Sequence, residues 1–318
     1  HSLFLPRTSE LSAMKIIYAV DGSVHAEAAA ELLKKIPFPA NSEVIATTVL
    51  EEIPLTARAA EHVAPHVREK IHQERTDDAN ALLATACHQL GDHFASIRKA
   101  ILSGSPAHEL TTFAESEGAD VVLIGARGLN VLERFLLGST SEKVLHHAPC
   151  SVLVAHLADA SSETIQSPGR LRILVAYDGS PASDEAVDSL TRLPLTDSTE
   201  ILLLRVHTIV TAFRQDIKQC LSESWRQEEL LAGEALDAAA KRLEAAGLRQ
   251  VTTRMQDAGD AASKILSVAK EWHADLILAG NTGKSGLDRF MMGSVCKRLT
   301  RHAPCSVWVA RTKQTAGV

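Results

Sequence analysis

The chain has 318 residues, of which 45% are hydrophobic, and a formal net charge of -6. This length suits two domains of ordinary size, and an acidic chain without a strongly basic stretch is not expected to coat nucleic acid. Five cysteines predict no disulfide framework and favour a reducing cytoplasm, and no apolar run reaches the length of a membrane span.

The predicted elements of the first half alternate between strands and helices. After an N-terminal tail at residues 1–13, a short apolar strand over 15–20 ends at Asp21-Gly22-Ser23. The elements that follow are a helix over 26–36, a strand over 43–49, a long helix over 57–90, a strand over 96–102, a helix over 107–117, a strand over 121–124, a helix over 139–146 and a strand over 151–155. The unbroken apolar run at 121–124 is typical of a strand that is buried on both faces.

The second half follows the same order. Strands are predicted over 172–176, 200–206, 251–255, 276–279 and 306–310, with a long helix over 222–246. Alternating strands and helices indicate an α/β fold with a parallel sheet and right-handed crossovers. We therefore expect two tandem domains, residues 14–156 and 171–312, with a linker at 157–170 and a C-terminal tail at 313–318.

The two halves also share their motifs. Lys15-Ile-Ile-Tyr-Ala-Val-Asp-Gly-Ser23 returns as Arg172-Ile-Leu-Val-Ala-Tyr-Asp-Gly-Ser180. Gly125-x₂-Gly128-x₉-Gly138-Ser139 returns as Gly280-x₂-Gly283-x₉-Gly293-Ser294. Each copy of the glycine motif is followed by the sequence His-Ala-Pro-Cys-Ser-Val. A repeat of this length is a pair of whole domains and not a solenoid of short units.

The glycine motif predicts a phosphate site. In an open parallel sheet, ligands bind at the carboxyl ends of the strands, so Asp21 and Gly125 face one crevice if the first and fourth strands are neighbours. Gly125 and Gly128 allow a sharp turn with N–H groups directed into that crevice. Gly138-Ser139-Thr140 then begins a helix, whose unpaired N–H groups favour an anion. In the second half the corresponding residues are Gly280, Gly283, Gly293, Ser294 and Val295.

A purely structural interpretation exists for each of these features. The strand-end glycines would only end strands, and Ser139 with Glu142 fits a helix capping box. Asp21 and Asp178 are equally consistent with turn or cap residues and with carboxylates that accept hydrogen bonds from a ribose hydroxyl or an adenine amine. The second copy has Lys297 in place of Glu142, so capping alone does not explain why the Gly-Ser pair recurs. The recurrence favours phosphate binding, and the shared crevice favours a functional aspartate.

Taken together, these motifs resemble those of the universal stress protein family, in a tandem two-domain form that covers nearly the whole chain. The resemblance implies two doubly wound α/β domains, each with a five-stranded parallel sheet of order 3-2-1-4-5 flanked by helices. It further implies binding of ATP or AMP (or ADP), with Mg²⁺ and at most slow hydrolysis, in a cytoplasmic stress-response protein.

The resemblance also assigns roles to single residues. Asp21 and Asp178 would hold ribose or base, and Val49 and Val206 would lie against adenine. The loops at Gly104-Ser105-Pro106 and Gly259-Asp260-Ala261 would close over the base. Cations for the phosphates are expected from Arg127, Lys284, Arg134 and Arg289.

No catalytic arrangement or metal site is predicted. There is no Gly-Lys-[Ser/Thr] phosphate loop, and His62 and His66 are expected on a solvated helix face. The hypotheses are thus a regulatory nucleotide-binding protein, a scaffold with one or both sites vestigial, and a slow nucleotide hydrolase. The apolar fifth strands are expected to pair the two domains within the chain; a homodimer and an unknown regulatory protein partner are also expected.

Overall fold

The computed structural model describes residues 11–51, 64–128, 137–157, 170–208, 215–283 and 292–313, with side chains omitted at 208 and 215–226. The chain divides into two compact units, built mainly from residues 13–155 and from residues 156–312. The predicted linker lies almost wholly outside the described residues, as do most of the two predicted tails.

The first domain contains five strands and four helices among its described residues. In chain order these are β1 (Lys15–Ala19), α1 (Val24–Lys35), β2 (Glu43–Leu50), α2 (Pro65–Leu90), β3 (Ser96–Ser103), α3 (Pro106–Ser116), β4 (Val121–Gly125), α4 (Ser139–His147) and β5 (Ser151–Ala155). The helix predicted over 57–90 begins only at Pro65, because proline, which lacks an N–H group, is well suited to the first turn of a helix. Residues 57–63 lie outside the described part of the chain.

The second domain repeats this succession. Its elements are β6 (Leu171–Ala176), α5 (Pro181–Thr191), β7 (Thr199–Thr208), α6 (Gln215–Ala245), β8 (Gln250–Ala258), α7 (Ala261–Glu271), β9 (Leu276–Gly280), α8 (Ser294–His302) and β10 (Ser306–Ala310). Helix α6 begins at Gln215 and not at 222, and β8 extends to Ala258 where the prediction ended at 255. The order of elements was nevertheless predicted correctly.

Each domain has a parallel sheet of the predicted order. In the first domain the order is β3-β2-β1-β4-β5, and in the second it is β8-β7-β6-β9-β10. The first and fourth strands are neighbours in both, with Ile17 opposite Val122 and Leu174 opposite Ile277. The strands that follow the first one in the chain are added on one side of it up to the third, and the fourth and fifth lie on the other side; a crevice opens at the carboxyl ends of the strands where this order reverses, which confirms the predicted doubly wound fold.

The central strands are apolar on both faces because helices cover both sides of each sheet. All five residues of β4 are buried. The start of β1 is tied to the residue that precedes β4, since the amide of Lys15 donates to Asp120 Oδ2 at 2.8 Å; Arg172 and Asp275 repeat this bond at 2.8 Å. Within the described residues, no helix has the length and apolar character needed to cross a membrane.

Candidate functional site

A tight turn follows the first strand of each domain. Asp21 Oδ1 accepts hydrogen bonds from the amide of Ser23 at 3.0 Å and from its hydroxyl at 2.6 Å. Asp178 Oδ1 likewise accepts from the amide of Ser180 at 2.9 Å. The glycine between them has a φ of +79° in the first domain and +76° in the second, in the left-handed region that favours glycine.

The serine of this turn, and not the aspartate, caps the helix that follows. The Ser23 hydroxyl accepts from the amide of Ala26 at 3.2 Å, and the Ser180 hydroxyl accepts from that of Ser183 at 3.2 Å. The helix-cap interpretation of Asp21 and Asp178 is therefore wrong, whereas the turn interpretation is right for one carboxylate oxygen. The oxygen that accepts from the serine amide is Oδ1 in both aspartates, and Oδ2 is the second carboxylate oxygen.

Oδ2 faces the second glycine of the motif in both domains. A Cβ added to Gly128 would stand 2.9 Å from Asp21 Oδ2, and one added to Gly283 would stand 2.9 Å from Asp178 Oδ2. Such a separation is shorter than van der Waals contact, so a side chain at either glycine would displace the carboxylate. The fold thus brings the first-strand aspartate and the GxxG turn together at the end of the sheet.

The first glycine of each motif has a different task. A Cβ on Gly125 would lie 2.8 Å from the Cβ of His25, and one on Gly280 would lie 2.5 Å from the carbonyl carbon of Ala182. Both glycines therefore permit close approach of the first helix to the fourth strand.

The third glycine closes the loop and begins a helix. The amide of Gly138 donates to the carbonyl of Ala126 at 2.8 Å, and that of Gly293 donates to Asn281 at 2.8 Å. Gly138 and Gly293 are the N-cap residues of α4 and α8, and neither helix has a side-chain cap. The alternative interpretation of Ser139 and Glu142 as a capping box is therefore wrong, because the helix starts one residue earlier than a Ser139 cap requires.

The first turns of α4 and α8 accordingly present main-chain N–H groups at the crevice. Ser139 and Ser294 are exposed there, whereas Thr140 and Val295 are half-buried. Such N–H groups have no acceptor within the helix, and the helix dipole favours an anion beside them. Neutral donors of this kind suit a phosphate group.

The residues expected near a base lie on other strands. Val49 and Val206 are half-buried near the ends of β2 and β7, opposite Leu102 and Gln256. The loop after β3 is built around Gly104, which has a φ of +139° and donates its amide to the carbonyl of Leu50 at 3.1 Å.

The equivalent loop of the second domain is more open. A Cβ on Gly104 would meet the carboxylate of Glu109 at 2.6 Å, whereas one on Gly259 would meet no atom within 4 Å. The loop after β8 therefore has more room beside its glycine than the loop after β3.

The cations that the sequence suggested are only partly described. Arg127 is half-buried in the loop of the first domain, and Thr282 stands in its place in the second. Lys284, Arg134 and Arg289 lie outside the described residues. Within the described part, no group of three metal-ligating side chains converges.

Sequence analysis missed three supporting residues. Ser23 is buried, with its hydroxyl 3.3 Å from the carbonyl of Arg127, so it joins the aspartate turn to the glycine loop. Ser141 donates to the carbonyl of Gly125 at 2.8 Å and thereby anchors α4. In the second domain, Cys296 occupies the position of Ser141. His25 is buried against Gly125. Only Ser23 left a signal in the sequence, since it recurs as Ser180.

Comparison with known proteins gives one consistent result. The model of the universal stress protein family matches residues 13–156 and again residues 169–311. A universal stress protein of Mycolicibacterium smegmatis is 31% identical over 208 residues, which are 64% of this chain and 65% of that protein. Universal stress protein MJ0531 of Methanocaldococcus jannaschii is 32% identical over 148 residues, 46% of this chain and 85% of that protein.

A solved structure supports the fold of nearly the whole chain. The crystal structure of a universal stress protein from Archaeoglobus fulgidus has a TM-score of 0.64 and 19% identity, and the match covers 94% of this chain and 97% of that one. At this identity the similarity concerns the fold alone.

Proposed function

The chain belongs to the universal stress protein family, with one family domain in each half, and on this premise we propose that it binds adenine nucleotides at two sites. ATP, or ADP or AMP, is the ligand of each domain, and occupancy serves as a regulatory signal in the response to stress. Hydrolysis, where it occurs, is slow.

One observation carries the proposal. In both domains Oδ2 of the first-strand aspartate lies 2.9 Å from the Cβ position of a loop glycine. The same loop ends at a helix that has no side-chain cap. A carboxylate for hydroxyl or amine donors and a row of main-chain N–H groups for anions are the two complementary parts that a nucleoside phosphate requires.

The proposed roles combine this arrangement with the family resemblance. Asp21 and Asp178 accept from the ribose or base, and Val49 and Val206 pack on adenine. The phosphates lie against the main chain of the glycine loops and the first turns of α4 and α8. The residues assigned to phosphate are Gly125, Arg127, Gly128, Gly138, Ser139 and Thr140 in the first domain, and Gly280, Gly283, Lys284, Gly293, Ser294 and Val295 in the second. Mg²⁺ bound to the phosphates supplies the remaining positive charge.

The direct test is nucleotide content and stoichiometry. Mass spectrometry of small molecules released from protein purified without added ligand is expected to detect an adenine nucleotide. Calorimetric titration of emptied protein with ATP and Mg²⁺ is expected to give two sites per chain. If neither site binds any adenine nucleotide, the protein is a scaffold and the proposal fails; turnover above about 1 s⁻¹, ordinary for enzymes, would instead favour a hydrolase.

The proposal extends to partners and location. The two domains associate through β5 and β10, and two chains form a homodimer that a regulatory protein partner recognises in the cytoplasm. Small-angle scattering and native mass spectrometry test the domain pairing and the dimer. A monomeric mass would contradict the dimer without touching the nucleotide sites.

A further inference from the structure

A buried histidine lies beneath the phosphate loop of the first domain. His25, in the first turn of α1, is 6% exposed, and its Cβ lies 2.8 Å from the position where a Cβ of Gly125 would be. Its Nδ1 is buried and has no hydrogen-bond partner among the described residues. The imidazole is therefore close to the loop yet only partly satisfied.

The groups that face His25 come from three elements. Arg127 of the loop, Asp21 at the end of β1 and the backbone of Ala155 in β5 all act on it. The carbonyl of Ala155 also accepts from the amide of Ala126 at 2.8 Å, so His25 and the loop meet at the same residue. A change in the protonation of His25 can therefore alter the backbone contacts at Ala126, where the loop begins.

The buried environment of His25 favours the neutral form of its imidazole. Burial, followed by the positive charge of Arg127, lowers the pKa of His25 below its ordinary value of 6.5, although Ala155 and Asp21 oppose the shift. Because the pKa is lower in the folded protein, the unfolded chain binds more protons. The folded state therefore loses stability as the pH falls below 6.5.

The second domain lacks this group. Ala182 occupies the place of His25 and packs on Gly280 as His25 packs on Gly125. Since alanine has nothing to titrate, the second domain is an internal reference for the first.

We infer that His25 is a positioning residue that makes nucleotide binding at the first site, but not the second, weaken at acidic pH. A proton on Nδ1 creates a buried donor without an acceptor, beside the cation of Arg127. An unsatisfied buried donor destabilises the packed arrangement, and the domain avoids that cost by separating α1 from the loop. The inference rests on the proposed function, since it concerns the regulation of that same site.

The first experiment needs no nucleotide. Histidine and amide NMR signals are followed through a pH titration of the full chain, and His25→Leu, which keeps the volume but cannot titrate, identifies the His25 signal. We expect the amides of Ala126, Arg127 and Gly128 to shift with the midpoint of His25, and these shifts to vanish in His25→Leu. If the chemical shifts of these loop amides do not change with the titration of His25, the inference is overturned.

The second experiment measures ATP binding by calorimetry at two pH values, one above and one below the titration midpoint of His25 that the NMR experiment determines. Gly283→Val is used to isolate the first site and Gly128→Val to isolate the second. Because the unsatisfied donor destabilises the binding-competent arrangement, we expect the affinity of the first site for ATP to fall between the higher and the lower pH. This fall should be about fivefold larger with His25 than with His25→Leu or His25→Ala.

Comparing variants at each pH cancels the titration of the nucleotide itself, and the second site is expected to show no effect of residue 25. Equal pH dependence with and without His25, or tighter binding in acid, would refute the inference. If neither site binds ATP at either pH, the proposed function fails, whereas the NMR experiment still decides whether His25 positions the loop.

Discussion

Asp21 and Gly128 are 107 positions apart in the sequence, yet a Cβ on the glycine would stand 2.9 Å from Oδ2 of the aspartate. Asp178 and Gly283 are 105 positions apart, and a Cβ on Gly283 would likewise stand 2.9 Å from Asp178 Oδ2. An aspartate carboxylate and the main chain of a glycine loop thus form one wall of each crevice.

Gly128→Val and Gly283→Val should each abolish binding at one site. The valine would displace the aspartate carboxylate and fill the space proposed for the nucleotide. Calorimetric titration with ATP is expected to give one site for each single variant and none for the double variant. Gly233→Val is the matched control, since a Cβ on Gly233 meets no atom within 4 Å. Two intact sites in the double variant would contradict the assignment of the loops.

Asp21→Asn and Asp178→Asn separate the turn from the binding role. Asparagine still accepts from the serine amide through its Oδ1, so the midpoint of urea unfolding should stay nearly unchanged. Loss of hydrogen bonds to a charged group costs about 1.5–3 kcal/mol, which corresponds to an affinity about 10- to 150-fold weaker at that site. Full affinity in both variants would leave these aspartates with the turn role alone.

Gly125→Ala and Gly280→Ala test the close approach of the first helix. The new methyl group would overlap the Cβ of His25 in Gly125→Ala and the backbone of Ala182 in Gly280→Ala. Overpacking of this kind lowers the free energy of unfolding by about 1–3 kcal/mol. Gly233→Ala, in the open, should stabilise α6 by about 0.5–1 kcal/mol, since alanine favours the helix. Urea unfolding measures both effects. An unchanged midpoint for Gly280→Ala would mean that helix and strand separate without cost.

Most of the fold could be predicted from the sequence, because the central buried strands are short apolar runs and the first four strands of each domain are each followed by a helix. The internal repeat of Asp-Gly-Ser and of the glycine motif located both crevices. Helix boundaries were less accurate where the apolar pattern is weak, as at the start of α6, which was predicted at 222 and lies at Gln215.

The separate tasks of the glycines could not be predicted. Gly125 and Gly128 are alike in sequence, yet one lies against a helix and the other against a carboxylate. His25 was missed for the same reason, since only the tertiary structure brings α1 beneath β4. A residue whose role depends on what lies across the sheet leaves no local pattern.

The loop cation offers a reciprocal exchange between the domains. Arg127→Thr gives the first loop the residue of the second, and Thr282→Arg does the reverse. We expect affinity for ATP to fall about three- to tenfold at the first site and to rise at the second, with a matching change in salt dependence, because partly exposed charges are screened by salt. Calorimetry at two ionic strengths measures both. Unchanged affinity at both sites would show that neither position contacts phosphate.

Because both domains belong to one polypeptide, every molecule carries one copy of each pocket, and the two pockets differ in sequence. Paired identical single-domain chains would fill their pockets at one common concentration. Here Arg127 and His25 of the first domain have Thr282 and Ala182 as their counterparts in the second, so, under the proposed function, the tighter site fills first and most singly loaded molecules carry the nucleotide in the same domain. Under the proposed function, a downstream reader would meet three distinguishable species of one molecule, empty, singly loaded and doubly loaded, and so receive a graded signal.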